Sequence, residues 1–231
     1  MKIWHISDLH IRQMTRDNEK VQKCLQDIWA QFGQDDILVV AGDVTDDGSA
    51  RQYKRAANLL SRFKGKIILA PGNHDFGWLG NFFTWRAYRR WGKFVKEMDG
   101  NTVTNTKYKF IVVDSCLHTG SPHDFAQGRV GWYQRQKLKL KLWSTKLKPI
   151  VVFHHDIYCQ DWVLQLKDDA KVMRLLIGKA TYVLFGHSHE ERERWWPDPA
   201  SLHPPQTTFH SAGKLINLKT HEIYKIDTSK D

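Results

Sequence analysis

Short apolar runs alternate with amphipathic stretches through the first third of the chain. Lys2–Ile6, Ile37–Ala41 and residues 66–70 have the length and the Ile, Val and Leu content of strands buried on both faces. Between the first two, residues 18–32 place Val21, Leu25, Ile28, Trp29 and Phe32 at three- and four-residue spacing, and Gly33 follows where a helix wants a left-handed C-cap. Residues 49–63 repeat the plan, with Ser49 as N-cap and Tyr53, Ala56, Ala57, Leu60 and Phe63 on the inner face. Strand, helix, strand, helix, strand is a βαβ layout, so a largely parallel sheet covered by helices is expected.

The middle is less regular. Residues 76–96 are aromatic and basic, with a helix expected from about Phe82, and residues 107–113 read as a strand ending at Asp114. Over 132–148 the Lys-Leu alternation has strand period, whereas Leu138, Leu142 and Trp143, Leu147 recur at helical spacing; the length selects a helix. Residues 168–178 read as another helix with Val172, Leu175 and Leu176 inside, feeding a strand at 181–185. Residues 190–206 hold Pro197, Pro199, Pro204 and Pro205 and are expected to be a loop. Residues 207–212, 215–218 and 222–226 read as short strands, expected to be antiparallel. No repeat or linker splits the chain, and 231 residues suffice for one core, so a single domain over 1–231 is expected.

Composition narrows the function classes. No apolar run approaches the ~20 residues that span a bilayer, and the stretch before Asp8 is too short for a secretory signal, so a cytoplasmic protein is expected. Cys24, Cys116 and Cys159 are widely spaced and form no CxxC pair, which argues against a disulfide framework and a thiolate zinc site. Lys and Arg outnumber Asp and Glu by 35 to 25, giving a net charge of +10 that favours anionic partners, nucleic acid among them. The charge concentrates in Trp85-Arg86-Ala87-Tyr88-Arg89-Arg90-Trp91-Gly92-Lys93 and Lys137-Leu138-Lys139-Leu140-Lys141.

Five polar clusters each follow an apolar run: Asp8-Leu9-His10, Gly42-Asp43, Gly72-Asn73-His74-Asp75, His154-His155 and Gly186-His187-Ser188-His189. Loops leaving the carboxyl ends of strands are where α/β sheets bind ligands. Asp8 and His10 alternate, so on extended chain their side chains would leave on one side and close on one ion; His187 and His189 repeat the alternation. Asp43 has the carboxylate that can bridge two cations, and Asn73 offers a neutral amide oxygen. With one of His154 or His155, the set is nitrogen and oxygen without thiolate, which suits Mn, Fe, Zn or Co. Any one cluster alone is weak, since a strand-end Asp often caps the next helix, but five in this arrangement point to a hydrolytic site for two metal ions.

The order of these motifs resembles the calcineurin-like metallophosphoesterase superfamily. Gly42-Asp43-Val44-Thr45-Asp46-Asp47-Gly48-Ser49, Pro71-Gly72-Asn73-His74-Asp75, Gly128-Arg129-Val130-Gly131 and the paired histidines are similar to its cyclic-nucleotide phosphodiesterase branch. The resemblance implies a four-layer αββα sandwich of two mixed sheets flanked by helices, with the late strands in the second sheet. It implies Asp8, His10 and His189 as ligands of one ion, Asn73, His187 and His154 as ligands of the other, and Asp43 between them. Relatives have a proline where this chain has Asp156, which leaves the register between His154 and His155 to be decided. Two such ions, most simply Mn or Fe, would polarise a phosphoryl oxygen and generate a bridging hydroxide as nucleophile. His74 would stand over the site to stabilise charge or protonate the leaving oxygen, with Asp75 orienting its ring, while Asp46 braces the loop.

Three readings follow: a phosphodiesterase or phosphatase acting on a nucleotide-type ester, a DNA or RNA nuclease using Trp85, Tyr88 and Trp91 beside the arginines, although these aromatics at i, i+3 and i+6 read more simply as the inner face of a helix, and a non-catalytic scaffold, against which the intact ligand set argues. Trp195-Trp196 are candidates for a substrate wall or a partner patch, and a homodimer stays open because relatives dimerise.

Overall fold

The computed structural model describes residues 1–77, 84–116, 126–159, 161–188, 192–196, 207–212 and 224–227, the backbone alone for 84, 192–196 and 224–227. Strands β1 (Lys2–Ile6), β2 (Ile37–Ala41) and β3 (Ile67–Ala70) run parallel, linked by α1 (Glu19–Ala30) and α2 (Ala50–Leu60). Ser49 caps α2, its hydroxyl accepting from the Gln52 amide at 3.4 Å. Short helix α3 (Asn73–Phe76) and helix α4 (Thr84–Glu97) follow β3. The second half contributes β4 (Tyr108–Val112), α5 (Gly131–Ser144), β5 (Lys148–Val152), α6 (Asp169–Leu176), β6 (Tyr182–Phe185), β7 (Arg192–Trp196), β8 (Thr207–Ser211) and β9 (Tyr224–Asp227). Among the described residues these form two mixed sheets, ordered β3-β2-β1-β9 and β4-β5-β6-β8-β7.

Strand residues alternate between two apolar layers. Trp4, Ile6, Leu38, Val40, Ile67 and Leu69 face outward and pack with Val21, Leu25, Ile28, Tyr53, Leu60, Ala87, Trp91 and Phe94 of α1, α2 and α4. Their neighbours Ile3, Ile37, Val39, Ala41, Ile68 and Ala70 face inward and meet Tyr108, Ile150, Val152 and Leu184 of the second sheet. Val151, Phe153, Val183 and Phe185 form a third layer with Leu138 and Leu142 of α5 and Val172 and Leu176 of α6. Helices, sheet, sheet and helices therefore stack as four layers, and strands covered on both faces need continuous apolar runs rather than alternation. The start of α5 is closed by another segment's carboxylate: Asp168 accepts the Val130 and Gly131 amides at 3.0 Å each and pairs with Arg135.

Four expectations change. Residues 190–206 are not all loop, because residues 192–196 form β7, antiparallel to β8; the prolines begin only at 197, and Arg-Glu-Arg-Trp-Trp before them has nothing that forbids a ladder. The helix expected over 132–148 ends at Ser144, since Lys148 already opens β5 and Pro149 cannot continue a helix. The late strands are not uniformly antiparallel or confined to the second sheet: β8 runs parallel to β6, and β9 joins the first sheet antiparallel to β1. The aromatics of α4 split, with Trp91 buried and Trp85 and Tyr88 61% and 41% exposed. Residues 215–218 lie outside the described residues, as do the side chains of Trp195 and Trp196.

Candidate metal centre at the seam of the two sheets

The carboxyl ends of β1, β2 and β3 in one sheet and of β5 and β6 in the other meet along one edge, and the candidate ligands come from both. The segments after β1 and β2 stay paired beyond their strands: Asp8 N reaches Gly42 O at 3.2 Å, His10 N reaches Asp43 O at 2.9 Å and Ile11 N reaches Val44 O at 3.0 Å. Across the seam the His187 amide donates to Asp8 Oδ2 at 3.1 Å, while within the second sheet the Gly186 amide donates to His154 O at 2.9 Å.

Convergence does not come from the extended-chain alternation that the sequence suggested for Asp8 and His10. Asp8, His10, Asp43 and His187 all have left-handed backbone, with φ of 56°, 44°, 51° and 72°. Each such conformation costs a non-glycine residue about 1 kcal/mol or more, and it gathers at places where a side chain must be aimed. Gly42, at φ 91°, lies against the His154 ring, where a Cβ would collide with it.

The gathered atoms form two groups that share Asp43. In one, His10 Nε2 lies 3.9 Å from Asp8 Oδ1 and 3.7 Å from Asp43 Oδ2. In the other, His154 Nε2 lies 3.3 Å from Asp43 Oδ2 and 3.1 Å from His187 Nδ1. His154 Nδ1–H donates to Ala41 O at 2.8 Å, which leaves Nε2 aimed at the group. A backbone acceptor on the far nitrogen is what orients a metal-binding imidazole. His155 instead places Nδ1 2.8 Å from Ser115 Oγ, and Ser115 Oγ also accepts both the His154 and His155 amides at 3.2 Å. The geometry thus favours His154 over His155 as the ligand. Asn73 Oδ1 is buried with no hydrogen-bond partner, an arrangement that costs about 1–3 kcal/mol unless a cation accepts its lone pair. The residues present therefore fit a pair of ions. His189 lies outside the described residues.

Charge is arranged to match. Burial opposes ionisation of Asp43, yet His154, His74 and His10 around it hold its carboxyl well below the usual range. Burial pushes His154 down, but the Asp43 carboxylate outweighs it and takes the ring up to about 9. Burial and the neighbouring His154 take His187 down to about 4. Asp75, completely buried, is raised to about 7 by burial and by Asp43, against amides of Gly72, Thr45 and Val44.

Asp75 does not orient the His74 ring, contrary to expectation. Its carboxylate accepts from Val44 N, Thr45 N, Thr45 Oγ1 and Gly72 N at 3.3, 2.9, 3.1 and 2.9 Å, tying the loop after β2 to the loop after β3. His74 Nδ1 donates to the Asp46 carbonyl at 2.8 Å, and its ring stands edge-on to His10 with centroids 4.6 Å apart. Asp46 also brings its carboxylate to 3.5 Å from His10 Nδ1 and 3.3 Å from Arg12 Nε. His10 thus presents Nε2 to the ligand group and Nδ1 to Asp46.

Two contributors had no separate signal in the sequence. Ser115 lies just past a strand end and carries the paired histidines, and Tyr53, legible only as an inner-face residue of α2, donates its hydroxyl to Asp75 O at 2.5 Å.

The calcineurin-like phosphoesterase family model matches residues 1–191. The 3′,5′-cyclic adenosine monophosphate phosphodiesterase CpdA of Escherichia coli (strain K12) is 23% identical over 220 residues, spanning 90% of this chain and 76% of that protein. CpdA of Haemophilus influenzae is 23% identical over 194 residues, spanning 79% and 65%. In fold, TT1561 of Thermus thermophilus superimposes with a TM-score of 0.60 at 14% identity, covering 98% of both chains. Purple acid phosphatase PPD1 of yellow lupin gives 0.59 at 13% identity, covering 93% of this chain and 44% of that one. The family match takes in all five polar clusters, and the chain belongs to the calcineurin-like phosphoesterase family and is a phosphoric ester hydrolase.

Proposed function

We propose that the chain hydrolyses the phosphodiester bond of a small nucleotide, a cyclic nucleotide in the first instance, at a two-metal centre. The observation that carries this reading is Asp43, whose carboxylate belongs to both ligand groups and is kept ionised by three surrounding histidines. Asp8, His10 and Asp43 would hold one ion, with His189 as a further ligand, and Asp43, Asn73, His154 and His187 the other; Mn or Fe is the simplest choice within the Mn, Fe, Zn or Co that the nitrogen and oxygen donors suit. Bound there, such ions supply Lewis-acid polarisation of the phosphoryl group and a nucleophile at neutral pH.

The chain's own residues do the rest. His74, half-buried and fixed through Nδ1–H to the Asp46 carbonyl, can stabilise transition-state charge or deliver a proton from Nε2 to the leaving oxygen. Asp46 steadies His10 and His74 together, one through its carboxylate and the other through its carbonyl. Asp75 locks the two loops so that Asp43 and Asn73 keep their spacing. The CpdA relatives favour a cyclic-nucleotide substrate, and the nuclease alternative gains no support from them.

The deciding experiment is hydrolysis by the Mn-loaded protein of bis-p-nitrophenyl phosphate, 2′,3′- and 3′,5′-cyclic nucleotides and labelled single- and double-stranded DNA, with Asp43→Ala as control. Cleavage of the small esters, lost in the control, is expected. Cleavage confined to DNA, falling steeply with salt, would replace this reading with the nuclease, and inactivity with every metal would leave the fold as a scaffold.

A further inference from the structure

Helix α5 is apolar on two opposite sides. Leu138 and Leu142 are buried against the second sheet, whereas Trp132, Tyr133, Leu140 and Trp143 are 68%, 64%, 61% and 85% exposed. At about 100° per residue these four fall within an arc of about 100°, roughly opposite the buried leucines. They form one outward stripe on a fourteen-residue helix. Its sequence, Gly-Trp-Tyr-Gln-Arg-Gln-Lys-Leu-Lys-Leu-Lys-Leu-Trp-Ser, contains no acidic residue. Arg135 is taken by Asp168, but Lys137 and Lys141 flank the stripe on one side and Lys139 on the other, Lys137 lying 4.3 Å over the Tyr133 ring. An exposed apolar stripe edged by like charges marks an interaction surface rather than a solvated helix face.

We propose that α5 seats the protein on an anionic lipid surface, lying in the plane of the headgroups with Trp132, Tyr133, Leu140 and Trp143 immersed and the lysines among the lipid phosphates. Indole and phenol rings favour that boundary, lysine stems can reach along it, and a net charge of +10 adds long-range attraction. Spanning is excluded for this helix, because no described helix is long and apolar enough to cross a membrane. Charge selects lipid over a second copy, since two α5 faces brought together would oppose lysine rows of the same sign. The convexity of a helix, and the polar Gln136 and aliphatic Leu140 that separate its aromatic ends, select it over single-stranded nucleic acid, which wants a groove and successive stacking platforms.

The test is sedimentation of the full-length protein with vesicles of seven parts phosphatidylcholine to three parts phosphatidylglycerol, and with pure phosphatidylcholine, each with Mn and with EDTA. At least tenfold stronger association with the anionic vesicles is expected in both, weakening with salt, so the result does not depend on the metal centre. The pairs Leu140→Ser/Trp143→Ser and Lys137→Glu/Lys141→Glu should each lose it at least tenfold while keeping the wild-type melting temperature and the turnover of bis-p-nitrophenyl phosphate. If the serine pair unfolds, the glutamate pair alone decides. Arg86→Glu/Arg89→Glu on α4 should still associate. No association, association untouched by the α5 changes, a change of oligomeric state in their place, or preferential binding of an oligonucleotide through the same residues would each overturn the proposal.

Discussion

His74 lies with His10 and Asp46 in a further cluster whose atoms could meet an ion, so its proposed role beside the metals is separated from ligation by substitution. Its amide donates to Asp43 Oδ1 at 3.0 Å and its Nδ1 to Asp46 O, so replacing the ring by a side chain of similar polarity leaves the ligand groups standing. His74→Asn is expected to lower turnover about 10²-fold or more while bound metal, counted by elemental analysis, stays at the wild-type level. Loss of metal in that variant would place His74 among the ligands instead. Gly42 makes the opposite case. Gly42→Ala puts a Cβ into the His154 ring at a backbone angle that resists side chains, and a loss of about 2–4 kcal/mol together with weakened metal retention is expected in chemical unfolding. At this scale the identities of the polar residues were legible, because Asp, Asn and His recur after apolar runs. Their partners were not: Ser115, Tyr53 and the turning of Asp75 away from His74 depend on which loops lie side by side, and no local pattern carries that.

Elements are held in place by contacts from remote segments. α5 begins without a side-chain cap of its own and depends on Asp168, 37 residues after Gly131. Asp168→Ala would strand two amides and the Arg135 guanidinium, and a loss of about 3 kcal/mol, read as a lower melting temperature with the far-UV spectrum of the folded state retained, is expected. If stability is unchanged, the carboxylate is not the cap that its bonds make it. The helices α1, α2 and α6 and the strands β1 to β6 were readable from apolar spacing, because a helix stripe and a doubly covered strand leave distinct periods. β7 was not, since prolines downstream dominate the composition of its segment, and the direction of β8 was not, since a strand's sequence does not record which neighbour it joins.

For the molecule as a whole, buried histidines set the pH dependence of the ion-free protein. His5 of β1 and His210 of β8 meet between the two sheets, Nδ1 to Nδ1 at 2.8 Å; burial, and for His5 also the facing His210, holds His5 well below 6.5 and burial takes His210 to about 3. With His187 lowered to about 4, three groups bind more protons unfolded than folded below pH 6.5, so they withdraw stability as pH falls. Asp75, raised to about 7, works the other way below that pH but is one group against three. His154, raised to about 9, contributes stability that is complete below 6.5 and is lost as pH rises through 9. Urea unfolding in EDTA should therefore show a maximum near pH 6.5, with the acid side changing by up to about 1.4 kcal/mol per pH unit for each uncompensated proton. A curve that keeps rising from pH 6.5 to 9 would contradict the state assigned to His154. By itself the sequence determined the parallel βαβ opening, the αββα class through its motifs, and the candidate oxygen and nitrogen donors, because apolar periodicity and residue chemistry are local properties. Only the tertiary structure decided that His154 rather than His155 faces Asp43, that left-handed turns rather than extended chain aim Asp8, His10 and His187, and that α5 carries a second apolar face, because each follows from which segments the two sheets bring together at their seam and which they leave to solvent.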